Sequence, residues 1–484
     1  MSLRRDAIWT SLDTFVGAGL AFVFRVAVAK VLAPDDFGVA IIALSFIAVI
    51  QVLNEFGLTA ALIQKDEREL NDDMVNTTFT ASLIISLVLM VATISFGSTF
   101  AANYFSEPAV QPLISALALS LIFAPFSTVS TAMLYRRRKF KEIAGIRIAA
   151  TSIGIFAACV LLLIDATPWV VIVQTFAATI VAAAGAVIVS KWKFRIKLDR
   201  NQLKQVFIFS GFVLTNDVVV SLAANAGVFV LGRLANPASV GLFSLATYMT
   251  DTVRKSIMSI LNRVTFVHYA SIKDNPSLVR KAYLSTLSWN CRAVFPIMMC
   301  FVLFGPNLVH KFLGPEWENM GTVVRWLAVS VMVHAAGGTT STLYKAVGKP
   351  GIDLALFTAT TILILLPSMY FGGKLAGIEG VAMAVALTKL ISTVIRQIYL
   401  SRMIGRMGRQ LWNIITTLLL FQAPMVVLWA TGSLFANRGS VVVDIMLMLF
   451  GLLFYALLEG PRAAPELAQR FRLSPIYLPW EHRQ

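Results

Sequence analysis

The succession of long apolar runs constrains this chain more than any other feature of its sequence. Runs of about 20 residues, the length that an α-helix needs to cross a bilayer, follow one another along all 484 residues. Only short polar connections separate them. With 57% hydrophobic and 14% charged residues, the chain is far from a soluble globular balance. The sequence therefore predicts an all-α polytopic membrane protein.

About fourteen of these runs reach spanning length, which predicts about fourteen transmembrane helices. The predicted spans are residues 7–33, 36–63, 74–97, 108–132, 143–164, 169–190, 206–232, 238–263, 283–309, 318–344, 352–373, 377–400, 411–434 and 439–458. Because no connection between them is long enough to form a soluble domain, we expect a single membrane domain.

The positive charges of the chain are unevenly distributed between alternate connections. Most of the 41 Lys and Arg residues lie on one side, in runs such as RRRKFK (Arg136–Lys141) and KWKFRIKLDR (Lys191–Arg200), whereas the connection GSTFAANYFSEP has none. Cytoplasmic connections carry such an excess, so both termini are predicted to be cytoplasmic. The asymmetry accounts for the net charge of +16 without a nucleic-acid partner. The aromatic residues of the second run also suit contact with membrane lipids.

Two pairs of similar segments indicate an internal repeat. VLAPDDFGVAIIALSFI (Val31–Ile47) resembles RLANPASVGLFSLATYM (Arg233–Met249), so that Pro34 and Gly38 match Pro237 and Gly241. At a similar offset, STVSTAMLYRR (127–137) resembles GGTTSTLYKAV (337–347). The offset covers an even number of spans, so both copies insert the same way round, as a parallel repeat about an axis along the membrane normal.

The repeat predicts the domain organisation. Spans one to six form an N-terminal lobe over residues 1–200, and spans seven to twelve form a C-terminal lobe over 201–405. Two additional helices follow over 406–460, and residues 461–484 form a cytoplasmic tail. Two similar lobes suit alternating access, in which a shared cavity opens to one membrane face at a time.

Cysteines and histidines suggest no metal or redox chemistry. Cys159, Cys291 and Cys300 all lie inside apolar runs, without the spacing of a metal site or a disulfide framework, and the four histidines are scattered. The sequence therefore predicts no metal and no cofactor.

Charged residues inside the predicted spans are unusual enough to indicate function. The cations are Arg25, Arg147, Arg254, Lys255, Arg263, Arg292, Arg325, Lys389 and Arg396, and the acids are Asp13, Glu55, Asp217, Asp251 and Asp444. Some have local explanations. Asp251 precedes Arg254 and Lys255 by three and four residues, where it can pair with either on one helix face.

Other cations differ in how deep they lie in their spans. Arg147, Arg263 and Arg396 lie near cytoplasmic ends, where a long side chain can reach the interface. Three central cations have no acid within one helical turn: Arg25, Arg292 and Lys389. Two interpretations of this central set stay open. They contact an anionic substrate, or they pair with an acid on another helix, such as Asp13, Glu55 or Asp217.

Several segments resemble one family of transporters. LAPDDFGVAIIALSFIAVIQVLNEFGLTAALIQKDE (Leu32–Glu67) is similar to the second-helix region of Wzx-type lipid-linked oligosaccharide flippases, the polysaccharide transporters of the multidrug/oligosaccharidyl-lipid/polysaccharide exporter superfamily. FLGPEWENMGTVVRWLAVSVM (Phe312–Met332) and GVAMAVALT (Gly380–Thr388) resemble signatures of the second lobe. The resemblance implies two six-helix lobes in a V shape, multi-pass in a bacterial inner membrane.

The resemblance also implies a substrate, a polyprenyl diphosphate carrying a saccharide repeat unit, with undecaprenyl as the expected lipid and a polymerase and export machinery as expected partners. A diphosphate offers several acceptor oxygens to cationic side chains. We therefore predict a diphosphate-binding set made of Arg25, Arg254, Lys255, Arg292 and Lys389. A weaker hypothesis assigns ion coupling to Asp13, Glu55, Asp217 and Asp251.

Three functions from different classes stay open on the sequence. The first is flipping of the lipid-linked oligosaccharide for export of a surface polysaccharide. The second is cation-coupled export of small molecules by the multidrug branch, which the excess of intramembrane cations disfavours. The third is a membrane enzyme such as a polymerase or ligase, which would need a sizeable outer loop with catalytic groups. The sequence favours the flippase, which is not an enzyme.

Overall fold

The structure is a computed structural model that describes residues 2–55, 72–435 and 441–463, and these are helical along nearly their whole length. The first ten helices are α1 Ser2–Val31, α2 Pro34–Glu55, α3 Asp72–Phe105, α4 Val110–Arg136, α5 Phe140–Leu162, α6 Trp169–Ser190, α7 Arg200–Leu234, α8 Pro237–Ser271, α9 Pro276–Leu313 and α10 Met320–Ala346. They are followed by α11 (350–375), α12 (378–404), α13 (408–435) and α14 Val441–Ala463. The predicted tail lies outside the described residues beyond Ala463.

Each of the fourteen predicted spans corresponds to one of these helices, which confirms the all-α polytopic fold. Among the described residues, ten helical stretches are long and apolar enough to cross a membrane, and one of them, Pro350–Ile404, contains both α11 and α12. The helices outside that set are α1, α8 and α14. Intramembrane charges explain the lower hydropathy of α8, which contains Asp251, Arg254 and Lys255.

Prolines mark where several of the helices begin. Pro34, Pro237, Pro276 and Pro350 are the first residues of α2, α8, α9 and α11. A proline is well tolerated there because its missing N–H would have no partner within the helix. Asn275 adds a cap to α9, since its Oδ1 accepts from the backbone N–H groups of the second and third helical residues at 3.1 and 3.3 Å.

Glycines allow the sharp change of direction between α11 and α12. Ala376 and Gly377 have non-helical backbone angles, and Gly377 has a positive φ of 55°. Gly372 and Gly380 lie on either side, and a Cβ on either one would overlap the carbonyl oxygen of the other. Only residues without side chains permit this approach of the two helices.

Contacts divide the chain into two units, Met1–Leu245 and Ala246–Gln484. The division falls inside α8, so α7 and the first turns of α8 pack with the first unit. In that unit α5 packs against α1 and α6, and α2 packs against α4 and α7. The predicted lobe boundaries at residues 200, 405 and 460 stay predictions.

The repeated Pro-x-x-x-Gly segments meet inside the first unit. A Cβ on Gly38 would overlap the carbonyl oxygen of Pro237, and a Cβ on Gly241 would lie 2.5 Å from the carbonyl oxygen of Pro34. Asp35 Oδ1 also accepts a hydrogen bond from the backbone N–H of Ala238 at 3.0 Å. The two matched segments therefore start helices that cross at their first turns, in a nearly reciprocal contact.

In the second unit, α9 is the central helix, and it packs against α10, α13 and α14. A buried ion pair between Lys311 Nζ and Asp444 Oδ2, at 2.7 Å, joins α9 to α14. The helix α10 is interrupted at 336–339, and two side-chain amides satisfy carbonyl groups there. Asn290 Nδ2 donates to Ala335 O at 2.9 Å, and Gln397 Nε2 donates to Ala336 O at 3.0 Å.

Candidate functional site

Three charged residues of α8 form a local cluster, as their spacing predicts. Arg254 Nε donates to Asp251 Oδ1 at 2.9 Å, and Lys255 Nζ lies 3.5 Å from Asp251 Oδ2. The pairing predicted for Asp251 is therefore confirmed. One carboxylate serves two cations, so this face of α8 keeps a net positive charge.

Lys389 of α12 adds a further cation to this region of the second unit. It is half-buried, and the charges of Arg254, Asp251 and Arg396 all act on it. Within the described part of the chain, Lys389 makes no hydrogen bond and no ion pair shorter than 4 Å. His334 of α10 lies under the influence of the same four charged residues. A half-buried ammonium without a close counter-ion is suited to an anionic ligand.

The cation Arg396 is compensated by a partner on another helix, Asp353, that its position in the sequence does not indicate. Its Nη1 lies 3.1 Å from Asp353 Oδ1, and both side chains are largely buried. Ser341 donates a hydrogen bond to the other oxygen of the same carboxylate. The expectation that Arg396 reaches the membrane interface is therefore wrong. Its charge is compensated by an ion pair between α12 and α11.

The second unit also contains a large apolar cavity. It has a volume of about 700 Å³ and is lined by α9, α10, α12 and α13. Its lining includes Phe295, Met299, Val333, Leu390, Leu411 and Trp412. Leu390 of this lining is the chain neighbour of Lys389, so the apolar cavity and the cationic region share the helix α12.

In the first unit, Asp13 and Arg147 pair with each other. Arg147 Nη1 donates to Asp13 Oδ2 at 3.0 Å, and Arg147 Nη2 donates to the hydroxyl of Tyr135 at 3.0 Å. The charge of Arg147 is thus compensated by an acid on α1, in addition to the position of Arg147 near the membrane interface. Glu55 and Asp217 lie close enough for their charges to repel. Three of the four acids considered for ion coupling therefore belong to this unit.

Arg25 and Arg292 lie outside these clusters. Arg25 is half-buried in α1 and interacts with other groups of the protein. The guanidinium of Arg292 lies over the ring of Trp289 at 6.0 Å, and its carbonyl accepts from the hydroxyl of Tyr455 on α14. The structure thus brings together Arg254, Lys255 and Lys389 from the predicted diphosphate set. The roles of all five residues stay predictions, as do those of the four acids.

Several proteins of surface-polysaccharide pathways are similar to this chain. It is 23% identical to the lipopolysaccharide biosynthesis protein WzxC of Escherichia coli, over 82% of this chain and 81% of the relative. It is 22% identical to the succinoglycan biosynthesis transport protein ExoT of Rhizobium meliloti, over 72% and 70% of the two chains.

Solved structures share the fold of the chain at low sequence identity. The lipid II flippase MurJ in an inward closed conformation matches with a TM-score of 0.75 and 16% identity, over 95% of this chain and 99% of that one. An inward-facing multidrug resistance transporter of the MATE family matches with a TM-score of 0.63 and 16% identity, over 83% and 94%. Both likenesses support the polytopic helical fold.

The family resemblance noted in the sequence is confirmed by a profile match. The profile described as "Polysaccharide biosynthesis protein" matches residues 27–322, which is more than half of the chain. The matched region contains the repeated Pro-x-x-x-Gly segments and the charged cluster of α8. The chain belongs to this family of polysaccharide biosynthesis proteins.

Proposed function

We propose that this protein flips a polyprenyl-diphosphate-linked oligosaccharide from the cytoplasmic to the periplasmic leaflet, for export of a surface polysaccharide. The two predicted six-helix lobes would perform this by alternating access. The relatives that act in lipopolysaccharide and succinoglycan biosynthesis support the assignment to such a pathway. The proposed activity is transport, without a covalent step.

One observation carries the proposal, namely that a cationic cluster, formed by α8 and α12, and an apolar cavity share the helix α12. The substrate has the same two parts, an anionic diphosphate and a long isoprenoid chain. Arg254, Lys255 and Lys389 offer donors to phosphate oxygens, and Asp251 neutralises only part of their charge. The cavity, which is lined by the chain neighbour of Lys389, Leu390, offers about 700 Å³ of apolar space to the first isoprene units.

The cation excess also separates this function from the multidrug alternative. A pump for cationic drugs needs an apolar or acidic binding region, because like charges in a low-dielectric site repel. The region around Lys389 has the opposite sign. The MATE likeness supports the fold, and the charge of the region favours an anionic substrate.

The positive-inside pattern supports an orientation with both termini cytoplasmic, and the bacterial relatives support a location in the inner membrane. We expect undecaprenyl diphosphate to be the carrier lipid, and a polymerase and export machinery to use the flipped product. Arg25 and Arg292 are further proposed contacts of the diphosphate.

Complementation in the source organism tests the proposal. Deleting the gene should abolish the surface polysaccharide and cause its lipid-linked precursor to accumulate, and the wild-type gene should reverse both effects. Lys389→Ala and Arg25→Ala should each restore less than about a tenth of the polysaccharide, because a lost contact to a charged group costs about 1.5–3 kcal/mol. Lys281→Ala, at an exposed lysine of α9, is the matched control and should restore all of it.

Two results of this experiment would contradict the proposal. One is a deletion strain with a normal amount of surface polysaccharide. The other is full restoration by Lys389→Ala at wild-type protein abundance, which would exclude the cationic cluster as the substrate site. Immunoblots of the membrane fraction give the abundance of each variant.

A further inference from the structure

A second cavity lies in the first unit and differs in character from the apolar one. It has a volume of about 230 Å³ and lies between α2, α4, α5 and α6. Its polar lining consists of Glu55, Ser127, Thr128, Thr131, Tyr135 and Arg147. We call it the N-terminal polar pocket. On the proposed topology it lies toward the cytoplasmic ends of α2, α4 and α5, where a substrate enters.

The hydroxyl groups of this pocket are available to a ligand. Hydroxyls in apolar helices usually donate to a carbonyl one turn earlier, as Thr175 and Thr179 of α6 do at 3.1 and 2.9 Å. In the described part of the chain, Ser127, Thr128 and Thr131 have no such hydrogen bond. Three hydroxyl side chains within five residues of one helix thus keep their hydrogen-bonding capacity for a ligand in the pocket.

The charged groups at the pocket disfavour a phosphate and suit a ligand rich in hydroxyl groups. Arg147 is held by Asp13 and by Tyr135, so its guanidinium is partly neutralised and fixed in direction. Glu55 and the nearby Asp217 add two further carboxylates. Among these four groups, three carboxylates stand against one guanidinium, a balance that disfavours binding of a phosphate. Carboxylate oxygens accept strongly from hydroxyl donors, which favours a neutral polyol.

The volume of the pocket favours a neutral sugar over a single cation as its ligand. A water molecule occupies about 30 Å³ of liquid, so the pocket holds the equivalent of about eight waters. This is far more than a single monovalent cation needs, and it is suitable for one sugar ring. The pocket also offers a ring for stacking, that of Tyr135, whose hydroxyl the Arg147 bond orients.

We propose that the N-terminal polar pocket binds a saccharide unit of the lipid-linked substrate, at a site separate from the cationic cluster of the second unit. This inference rests on the proposed function and adds a specificity-determining site to it. Ser127, Thr128 and Thr131 would bond sugar hydroxyls, and Glu55 would accept from two of them. The pocket would then select the saccharide, while the cationic cluster holds the diphosphate that every such substrate shares.

Binding to the purified protein distinguishes the two sites. The probes are undecaprenyl diphosphate, which has no sugar, and the lipid-linked precursor isolated from the deletion strain. We expect the wild-type protein to bind the precursor at least about tenfold more tightly. Thr131→Val and Glu55→Gln should weaken binding of the precursor about fivefold and tenfold, and should leave that of undecaprenyl diphosphate within about twofold.

Controls separate a lost sugar contact from misfolding and from failure of the proposed function. Thr179→Val makes the same change at a hydroxyl that bonds the backbone, and it should bind both probes like the wild type. Unchanged binding of undecaprenyl diphosphate shows that a pocket variant is folded. A variant that is unstable when purified is replaced by Ser127→Ala, for which the same loss of selectivity is expected.

Three outcomes would overturn the inference. If wild-type protein binds both probes equally, no saccharide site exists. If Thr131→Val and Glu55→Gln bind both probes like the wild type, the pocket does not bind the saccharide, and loss of Na⁺ binding in Glu55→Gln would then identify it as a cation site. If wild-type protein binds neither probe, the proposed function fails together with the inference. Loss of undecaprenyl diphosphate binding in Lys389→Ala alone supports the proposed function independently.

Discussion

Gly38 and Gly241 face each other where α2 crosses α8, and each leaves room for the backbone of the other helix. They occupy matched positions of the sequence repeat. A nearly reciprocal contact between equivalent residues is what a two-fold relation between two segments produces. The structure therefore gives the repeated Pro-x-x-x-Gly segments a physical role, which is to let two helices start in backbone contact.

Gly38→Ala should destabilise the protein, because the new methyl group would overlap the carbonyl oxygen of Pro237. Overpacking of this kind costs about 1–3 kcal/mol, which should appear as a lower midpoint in thermal unfolding of the detergent-purified protein. Gly145→Ala in α5 is the matched control, since nothing lies within 4 Å of its added Cβ. Equal unfolding midpoints for the two variants would show that the contact between α2 and α8 has room for a methyl group, which would contradict the close approach described here.

Lys311→Ala should be more destabilising than removal of an exposed ion pair. The Lys311–Asp444 pair is 2.7 Å long, and its side chains are 15% and 11% exposed. Breaking a buried pair leaves one charge without compensation and costs about 3–5 kcal/mol. Lys197→Ala removes a 2.6 Å pair with Asp73 whose side chains are each 50% exposed, and it should cost less than about 1 kcal/mol. Thermal unfolding of both variants checks this ranking. A larger loss of stability for Lys197→Ala than for Lys311→Ala would contradict it.

The sequence predicts the helices of this fold better than their packing. Spans follow from local hydropathy, and the pairing of Asp251 follows from spacing within one helix. The partners of Arg147 and Lys311 lie 134 and 133 residues away, and nothing local indicates them. Core-facing and lipid-facing surfaces are both apolar in a membrane protein, so the sequence does not show which helix faces meet.

The candidate sites were predictable to different degrees. Lys389 could be singled out because a lysine inside an apolar span is costly. Asp353 was missed, although it lies in a predicted span, and so were the hydroxyls at Ser127, Thr128 and Thr131. Those residues appear in the repeat, yet hydroxyls are ordinary in membrane helices because they can bond their own backbone. Only the structure shows that these three hydroxyls do not bond their own backbone.

Cysteine labelling tests the topology on which the direction of transport depends. In a version without the natural cysteines, single cysteines at Ser106, Asn236 and Gly373 should react with an impermeant thiol reagent from outside intact cells. Cysteines at Lys139 and Arg195 should react only after the membrane is opened. Labelling at Arg195 from outside would contradict the fourteen-span topology, because that residue lies in a strongly basic connection.

The membrane potential should influence the distribution of the substrate. A diphosphate diester carries about two negative charges, and each gains about 2.3 kcal/mol per 100 mV when it moves to the positive side, or about 4–5 kcal/mol in all. In proteoliposomes with a potassium diffusion potential and valinomycin, the precursor should therefore collect in the leaflet on the positive side. An even distribution at 100 mV would show that charge does not cross with the lipid.

Flipping by the purified protein tests the central claim most directly. The lipid-linked precursor from the deletion strain is incorporated into vesicles, and the fraction oxidised by external, impermeant periodate is followed over time. Vesicles with wild-type protein should expose the inner-leaflet fraction at least about tenfold faster than protein-free vesicles. Lys389→Ala should lower the rate at least about tenfold, because losing a contact between charged groups costs about 1.5–3 kcal/mol. A wild-type rate equal to that of protein-free vesicles would contradict the assignment of this protein as a flippase.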